Sequence, residues 1–469
     1  MAWWTLWFAA MVSGNAATTV QGTLLTNTFW SPALGSIHVT SNVWVPAGVT
    51  LTVLPGTEVR LTNSTSIRAV NGGIISIMGS ASAPVLLRPG SDATNSYWDE
   101  ISAQGAGSSL SIRFAEIGFG QVTVFSNAVG QIEDSYLYGI ILDAPPAVQT
   151  RPTILTQYAG PVAIRRCVIR DYFELLLRFG GVRVEECLLE NIWGDGIDFD
   201  GAWPGSIIRN CTLRHGLLNG VDGCDIGTGC TNVLIEGCLT YDIPLDKGVS
   251  IGESSHGITV SNSLIYSCDS GIAVKDQCTA TIANCCIASC PVGINLKAKF
   301  IAVGGYATNT FNNILWSNTV QILATNNAII AVHHSDVQGT NWPGTGNFNL
   351  DPRFLNVAQR DYRVATNSPC LGAASDGGTL GPRYPVGAAM APSHPHLTSI
   401  EQAAGVALVK FWVDSEKTYS LLCSTNVSGG PWVKLADAFP LPRPYLLTVT
   451  NSMGADTNRF YRLVSPRLP

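Results

Sequence analysis

Residues 246–276 read DKGVSIGESSHGITVSNSLIYSCDSGIAVKD, and in them Gly248-Val249-Ser250-Ile251 returns as Gly271-Ile272-Ala273-Val274. The same phrase, a glycine with apolar residues at the next and third positions, occurs five times at spacings of 27, 25, 23 and 22 residues, starting at Gly196, Gly223, Gly248, Gly271 and Gly293. Apolar residues at every second position predict a strand with one buried face. A short strand repeated at such intervals predicts a solenoid, in which each repeat forms one coil.

A second short element lies between the glycine phrases, reading VRVEEC at 182–187, VLIEGC at 233–238, ITVSNS at 258–263 and ATIANC at 280–285. Two or three strands per coil with no helical segment predict an all-β fold, a parallel β-helix rather than a leucine-rich horseshoe. The coils are expected to continue in both directions, through alternating segments at 43–61, 72–89, 311–318 and 326–339 and a closing coil at 361–378.

Composition and charge narrow the class of protein. Charged residues make up 13% of the chain and there are 47 glycines, which is typical of turn-rich all-β proteins. The net charge of −6 provides no basic surface for a phosphate backbone, so nucleic acid is not expected as a partner. The sequence gives no indication of the oligomeric state.

The chain is expected to divide into four segments. Residues 1–16 contain an apolar run followed by small residues and predict a signal peptide, hence a secreted or extracytoplasmic protein (periplasm or cell surface); a buried strand is the alternative. No other run reaches the about 20 apolar residues of a membrane helix, so no membrane span is expected. The β-helix is expected over 17–384, a Pro-rich linker over 385–396 and a small β-sandwich over 397–469, where five strand-like runs occur.

The cysteines follow the repeat. Thirteen cysteines in an exported chain would ordinarily predict a disulfide framework. Five of them, however, share one position of the coil, which Ser263 and Asn313 take in other coils: Cys167, Cys187, Cys211, Cys238 and Cys285. We expect these to be free buried thiols, because unpaired cysteine packs as a compact apolar side chain. A Cys268–Cys290 disulfide is left open, and zinc is not expected because no Cys-x-x-Cys pair is matched to histidine.

Candidate functional residues lie on the outward face of the glycine phrase. Its middle residue is Asp198, Asp225, Ser250, Ala273 and Asn295 in consecutive coils, with Arg178 expected one coil earlier. The residue before the glycine is Asp195, Asp222, Lys247, Ser270 and Val292. Because neighbouring coils lie about 4.8 Å apart, four aspartates are expected to stack, with Lys247 and Lys275 close by.

Stacked carboxylates raise the pKa of at least one member, and the outside of a coil would accept serine or asparagine equally well. A protonated acid beside an ionised one is what glycoside hydrolysis uses. A calcium site built from the same oxygens and a set of solvated turns are the alternatives. Trp193 is expected to stack on a sugar ring or to cap a coil, and His215 to line the groove or to lie in a solvated turn.

The order of these motifs resembles that of the polygalacturonase-type pectin hydrolases, which are right-handed parallel β-helices. WGDGID (193–198) is similar to their Asn-Thr-Asp-Gly motif, with Asp195 as the aspartate, and VDGCDIGTG (221–229) to their Asp-Asp motif, with Asp222 in second place. DKGVSIGE (246–253) resembles their Gly-His-Gly motif, and GIAVK (271–275) their Arg-Ile-Lys motif with Lys275 as the lysine. The sequence departs from these motifs at Trp193, Val221, Lys247 and Ala273.

The resemblance implies a right-handed β-helix that cleaves the glycosidic bonds of an acidic polysaccharide. The resemblance assigns catalytic roles to Asp195 and Asp222 and a substrate-binding role to Lys275. The coil positions add Asp198 and Asp225 as catalytic carboxyl groups, and Lys247, Arg178, Trp193 and His215 as substrate-binding residues. No cofactor is implied, with calcium as the alternative. Two rival functions stay open: a polysaccharide lyase with Lys247 as base and Arg178 or calcium stabilising the anion, and a non-enzymatic surface or carbohydrate-binding protein.

Overall fold

The structure is a computed structural model that describes residues 17–91, 97–139, 151–339, 341–388, 397–403, 405–413, 417–426, 431–438, 440, 445–452 and 459–464. The expected signal segment 1–16 lies outside the described residues, as do residues 389–396 of the expected linker. Within the described part of the chain, no helix is long and apolar enough to cross a membrane.

The strands form a parallel β-solenoid with three rows, which we call faces A, B and C in the order in which the chain visits them. Face A is a sheet of 13 strands, the row of the second sequence element. Its strands are Thr28–Trp30, Thr50–Val53, Ile74–Met78, Ser109–Arg113, Val129–Glu133, Val162–Arg165, Val182–Glu185, Ile207–Arg209, Leu234–Glu236, Ile258–Ser261, Thr279–Ala283, Tyr306–Phe311 and Ile329–His333. Every pairing between neighbours in this sheet is parallel, as in a solenoid.

Faces B and C belong to one sheet of 23 strands, because three long strands bend across both: Ile37–Val45, Leu239–Ile251 and Leu264–Lys275. Thr18–Thr23 pairs with the first of these. Face B adds Glu58–Leu61, Val85–Pro89, Ala115–Gly118, Tyr136–Tyr138, Val168–Tyr172, Leu188–Ile192, Thr212–Gly216, Cys286–Ala288, Ile314–Trp316 and Asp336–Val337. Face C, the row of the glycine phrase, adds Ile67–Val70, Glu100–Gln104, Gln121–Phe125, Ile154–Gln157, Leu175–Arg178, Ile197–Asp200, Cys224–Gly227, Val292–Lys297 and Val320–Ala324.

The structure confirms the side-chain directions that the alternation in the sequence predicts. In the first glycine phrase Ile197 and Phe199 are fully buried in the core, whereas Asp198 points outward. The same inward residues recur coil after coil and form one continuous apolar cluster along the solenoid. The outward residues of face C are therefore held on a rigid, regularly spaced support.

All thirteen cysteines are free and buried, as expected for the five-membered column. Each thiol of that column donates to a carbonyl oxygen of the preceding coil, for example Cys187 to Ile164 and Cys211 to Val184 at 3.6 and 3.5 Å. Asn313 makes the equivalent bond to Ile282 where it replaces cysteine. The column is therefore a hydrogen-bonded ladder, and Cys268 and Cys290 are likewise unpaired.

The expected closing coil at 361–378 is wrong. Phe354–Asn356 and Asp361–Val364 pair antiparallel with each other, with short 3₁₀ helices at Val357–Gln359 here and at Pro32–Leu34 near the other end. This segment lies against the outside of face B, where Tyr362 and Leu380 share an apolar cluster with Tyr241 and Tyr266.

The C-terminal segment contains two antiparallel sheets of three strands. One consists of Leu397–Ala403, Val406–Val413 and Tyr445–Ser452, the other of Tyr419–Ser424, Val433–Ala438 and Phe460–Val464. Residues of both sheets, such as Phe411 and Leu421, share one apolar cluster. This arrangement fits the small additional domain expected from the sequence, whose boundaries stay a prediction.

Candidate active site

Face C carries three columns of outward side chains, each with one residue per coil. The floor column is the middle of the glycine phrase, aligned by strand pairing as Asp198, Asp225, Ser250, Ala273 and Asn295. The rim column is the residue before the glycine, namely Asp195, Asp222, Lys247 and Ser270. The outer column lies two residues beyond the floor and comprises Arg178, Asp200, Gly227, Gly252, Lys275 and Lys297.

The rim aspartates are tied to the backbone of the next coil. The backbone N–H of Asp222 donates to Asp195 Oδ1 at 2.7 Å, and the backbone N–H of Lys247 donates to Asp222 Oδ1 at 3.1 Å. The Lys247 ammonium lies 3.0 Å from Asp222 Oδ1 and also pairs with Asp246. Asp195 therefore has a neutral donor as its partner, whereas the charge of Asp222 is compensated by a cation.

Three carboxyl groups converge at the start of the acidic coils. One oxygen each of Glu174, Asp195 and Asp198 lies within 4.8 Å of the other two. Burial, reinforced by Asp222 and Asp225, raises the pKa of Asp195 to about 8. Burial, reinforced by Asp200 and Asp225, raises the pKa of Asp198 to about 9. These shifts favour the protonated form within this group of carboxyls at neutral pH.

Glu174 belongs to the same environment. Burial raises its pKa to about 7, although the Arg178 guanidinium opposes the shift. The sequence analysis did not single out this residue. Its signal was the phrase Glu174-Leu-Leu-Leu, which pairs with Gly196-Ile-Asp-Phe one coil later and so has the repeat's pattern with glutamate in place of glycine.

Asp225 lies between the acidic and the basic coils. Burial and then Asp222 raise the pKa of its carboxyl group, while Lys275 and a hydrogen bond from Ser250 work in the opposite direction. Lys275 is 3% exposed and its ammonium donates to Ser250 Oγ at 2.7 Å. Gly252 makes this possible, because a Cβ at that position would stand 2.8 Å from Lys275 Cε.

The expectation that Arg178 precedes Asp198 in the floor column is wrong. Leu176 occupies that place, and Arg178 pairs with Asp200 in the outer column. Arg178 Nε lies 3.0 Å from Asp200 Oδ2, and Thr228 Oγ1 donates to the other oxygen of Asp200 at 2.5 Å. The alignment failed by two residues because the Glu174 phrase has no glycine to mark its start.

The two remaining candidates lie beside the columns. Trp193 is 37% exposed and precedes Asp195 in the turn that connects face B with face C. His215 Nδ1 lies 2.6 Å from Asp242 Oδ2, and its ring meets Tyr241 edge to face. His215 therefore belongs to a histidine–aspartate pair on face B rather than to the columns of face C.

The donor set does not by itself complete a calcium site. Calcium takes six to eight oxygen ligands, whereas three carboxyl oxygens converge here and Asp195 Oδ1 already accepts a backbone N–H. Asp222, the next carboxylate along the rim, is bonded to Lys247.

A groove of about 540 Å³ lies elsewhere, on face A. Small and neutral side chains such as Ser111, Gln131 and Ala163 line most of it. Its charged residues are ion-paired, since Arg165 and Arg183 both contact Glu185 at 2.8 Å. The converging carboxyl groups of Glu174, Asp195 and Asp198 lie on face C instead.

Residues 175–341 match the family described as the right-handed β-helix region, which includes every candidate residue except Glu174 and supplies the hand of the solenoid. No curated protein sequence matches the chain. The solved structures that resemble it include a periplasmic alginate epimerase, with 12% identity and a TM-score of 0.37 over 69% of each chain. An alginate lyase from Paenibacillus sp. is 13% identical, with a TM-score of 0.25 over 61% of this chain and 93% of that one.

Tailspike protein 2 of bacteriophage CBA120 is 10% identical, with a TM-score of 0.30 over 91% of this chain and 69% of that one. Likenesses of this size concern the β-helix fold alone. The finer resemblance to polygalacturonases is not tested by these matches and stays a prediction.

Proposed function

We propose that this protein is an extracytoplasmic, carbohydrate-active enzyme that hydrolyses glycosidic bonds of an acidic polysaccharide lying along face C. The observation that carries the proposal is the contrast between two neighbouring rim carboxyl groups. Burial keeps a proton on Asp195, whose pKa is about 8, while Asp222 one coil further pairs with the Lys247 ammonium. An acid and a base held side by side are the two groups that glycoside hydrolysis requires.

In this mechanism Asp195, with Asp198 behind it, donates its proton to the glycosidic oxygen as the bond from that oxygen to the anomeric carbon breaks. Asp222 accepts a proton from the water whose oxygen bonds to the same carbon. One water is consumed. Asp195 ends the reaction ionised, and Asp222 ends it protonated. Asp225 adjoins both Asp222 and Lys275 and is assigned to orienting the water.

The basic coils supply the binding of an anionic sugar. Lys275 is buried and its ammonium donates to the neutral Ser250 hydroxyl, so its charge is compensated only through space, by neighbours such as Asp225. Burial together with Lys247 and Lys275 lowers the pKa of Lys297, which shows that the three ammonium groups act on one another. A sugar carboxylate bound here would relieve that repulsion.

The remaining candidates receive narrower roles. Lys247 serves to compensate Asp222, and Arg178 to hold Asp200, rather than to grip the substrate directly. Trp193 offers an exposed ring at the rim for a sugar to stack on. His215, paired with Asp242 on face B, would contact a substrate chain that extends past face C.

The lyase alternative is less well supported. A base must carry a free lone pair, and the Lys247 nitrogen is an ammonium in contact with two carboxylates, Asp222 and Asp246. Arg178, the expected stabiliser of the anion, is bonded to Asp200.

The test is a digest of a panel of acidic and neutral polysaccharides by purified residues 17–469, read as new reducing ends and as ultraviolet absorbance of unsaturated product. Hydrolysis predicts reducing ends without absorbance on at least one acidic member. Both signals together would indicate a lyase and contradict hydrolysis. Neither signal on any member would contradict the proposal and favour a binding protein. A parallel melting curve with calcium and with chelator tests the metal, and no calcium-dependent stability is expected.

A further inference from the structure

Glu174 stands where the repeat otherwise has glycine. Because Leu175 pairs with Ile197, Glu174 occupies the position in its coil that Gly196 and Gly223 occupy in the next two coils. Gly196 has to lack a side chain, since a Cβ there would lie 2.4 Å from the Gly223 carbonyl oxygen. The Glu174 side chain can therefore extend over the next coil and reach its two aspartates.

The charges that face Glu174 come from two coils. Asp195 and Asp198 lie on the next coil, within 4.8 Å oxygen to oxygen, and Asp200 lies beyond them. Arg178 ends the strand that begins directly after Glu174. It is the cation that acts on Glu174, and it is bonded to Asp200. The preceding coil presents the neutral residues Thr153 and Leu155.

Three carboxyl groups this close cannot all be ionised, because each charge raises the cost of the next by Coulomb repulsion in a partly desolvated site. We propose that Glu174 is a positioning residue, which shares the proton of the cluster and thereby keeps Asp195 or Asp198 in the acid form that donates to the leaving oxygen. The inference rests on the proposed hydrolytic function.

The Glu174→Gln variant tests this directly, because glutamine keeps the size and the hydrogen bonding but removes the charge. Turnover by a general acid falls as the pH rises through the pKa of that acid. Losing the Glu174 charge lowers the acid's pKa, so the basic limb of the kcat/KM profile should move down by about one pH unit. Glu236→Gln on face A, which breaks the pair with Arg209, is the matched control and should leave the limb in place.

A second measurement needs no substrate. The infrared band of protonated carboxyl groups, followed from pH 5 to pH 10, should persist above pH 7 in the parent. In Glu174→Gln its loss should shift to lower pH by about one unit. An unchanged band and an unchanged pH limb, even with a lower melting temperature, would overturn the inference and leave Glu174 a structural residue. A shifted band in a protein that cleaves no glycan would contradict the proposed function but would still support proton sharing by Glu174.

Discussion

Faces A and C of the same solenoid arrange their charged side chains in opposite ways. On face A one outward column alternates in sign over six consecutive coils, reading Arg113, Glu133, Arg165, Glu185, Arg209 and Glu236. On face C the floor and rim columns stack aspartate on aspartate over two coils, and lysines follow. The fold is thus able to pair opposite charges across coils wherever stability alone decides. The like-charge stack on face C is a cost that the fold does not require, which is why we assign the chemistry to that face.

Removal of the proposed acid on face C should cause the largest loss of turnover. Asp195→Asn should lower turnover on a polysaccharide by about 10²–10⁴-fold, the usual contribution of a general acid. An aryl glycoside of the same sugar, whose leaving group needs no proton, should lose much less. A uniform loss on both substrates would show that Asp195 does not donate the proton.

The lysine half of face C is tested by Lys275→Met, which keeps the buried stem and removes the ammonium. We expect kcat/KM on an anionic polysaccharide to fall by about 10–100-fold, since a charge-assisted contact in a buried site is lost. The chemically reduced, neutral form of the same polysaccharide serves as the control substrate. Equal losses on the charged and the neutral form would contradict the assignment of Lys275 to the sugar's anionic group.

The strain of the acidic stack should appear in the pH dependence of stability. The pKa of Asp198 is near 9 in the folded protein and near 4 in an unfolded chain, so the folded state binds the extra proton between these values. Stability in the parent should therefore fall as the pH rises from about 5 to 9. Asp198→Asn removes the contribution of this residue to the slope and should melt about 2–4 °C higher than the parent at pH 8.5, with little difference at pH 5. A higher melting temperature for the parent at pH 8.5 would contradict the raised pKa.

Face A should show the smallest effect and the opposite dependence on pH. Burial pushes the pKa of Glu185 upward, but Arg183 and Arg165 lower it overall, so the ion pairs stabilise the fold above that pKa. Glu185→Gln should melt about 1–2 °C lower at pH 7, and the difference should vanish as the pH falls through the lowered pKa. Activity should stay within a factor of about two. A large loss of activity would place functional residues on face A and remove the contrast between the faces.

Much of the fold was predictable because it rests on spacing. The glycine phrase and its alternating apolar residues fix the direction of Ile197, Asp198 and Phe199, and the period aligns Asp198 with Asp225 and Ser250. The cysteine column follows from the same period. These features depend on the local repeat, which a single sequence displays in full.

The site was predictable only where the repeat is intact. Glu174 has no glycine before its apolar residues, so the coil could be aligned by its arginine instead, and Arg178 was placed two residues out of register. The partners of Lys247 depend on the register shift between Ile243 and Lys247 in the long strand Leu239–Ile251, which the repeat does not specify. The return of residues 354–388 along face B is a tertiary contact between apolar side chains far apart in sequence.

The central claim is that the aspartate stack exists for catalysis, and Asp222→Asn tests it most directly. Asparagine keeps the shape and can still accept the Lys247 N–H, but it carries no charge and cannot take a proton from water. We predict that turnover on the polysaccharide substrate falls by at least about 10³-fold. The melting temperature should stay within about 3 °C of the parent, because Lys247 retains Asp246 as a partner. An Asp222→Asn protein that cleaves its substrate as fast as the parent would contradict the account.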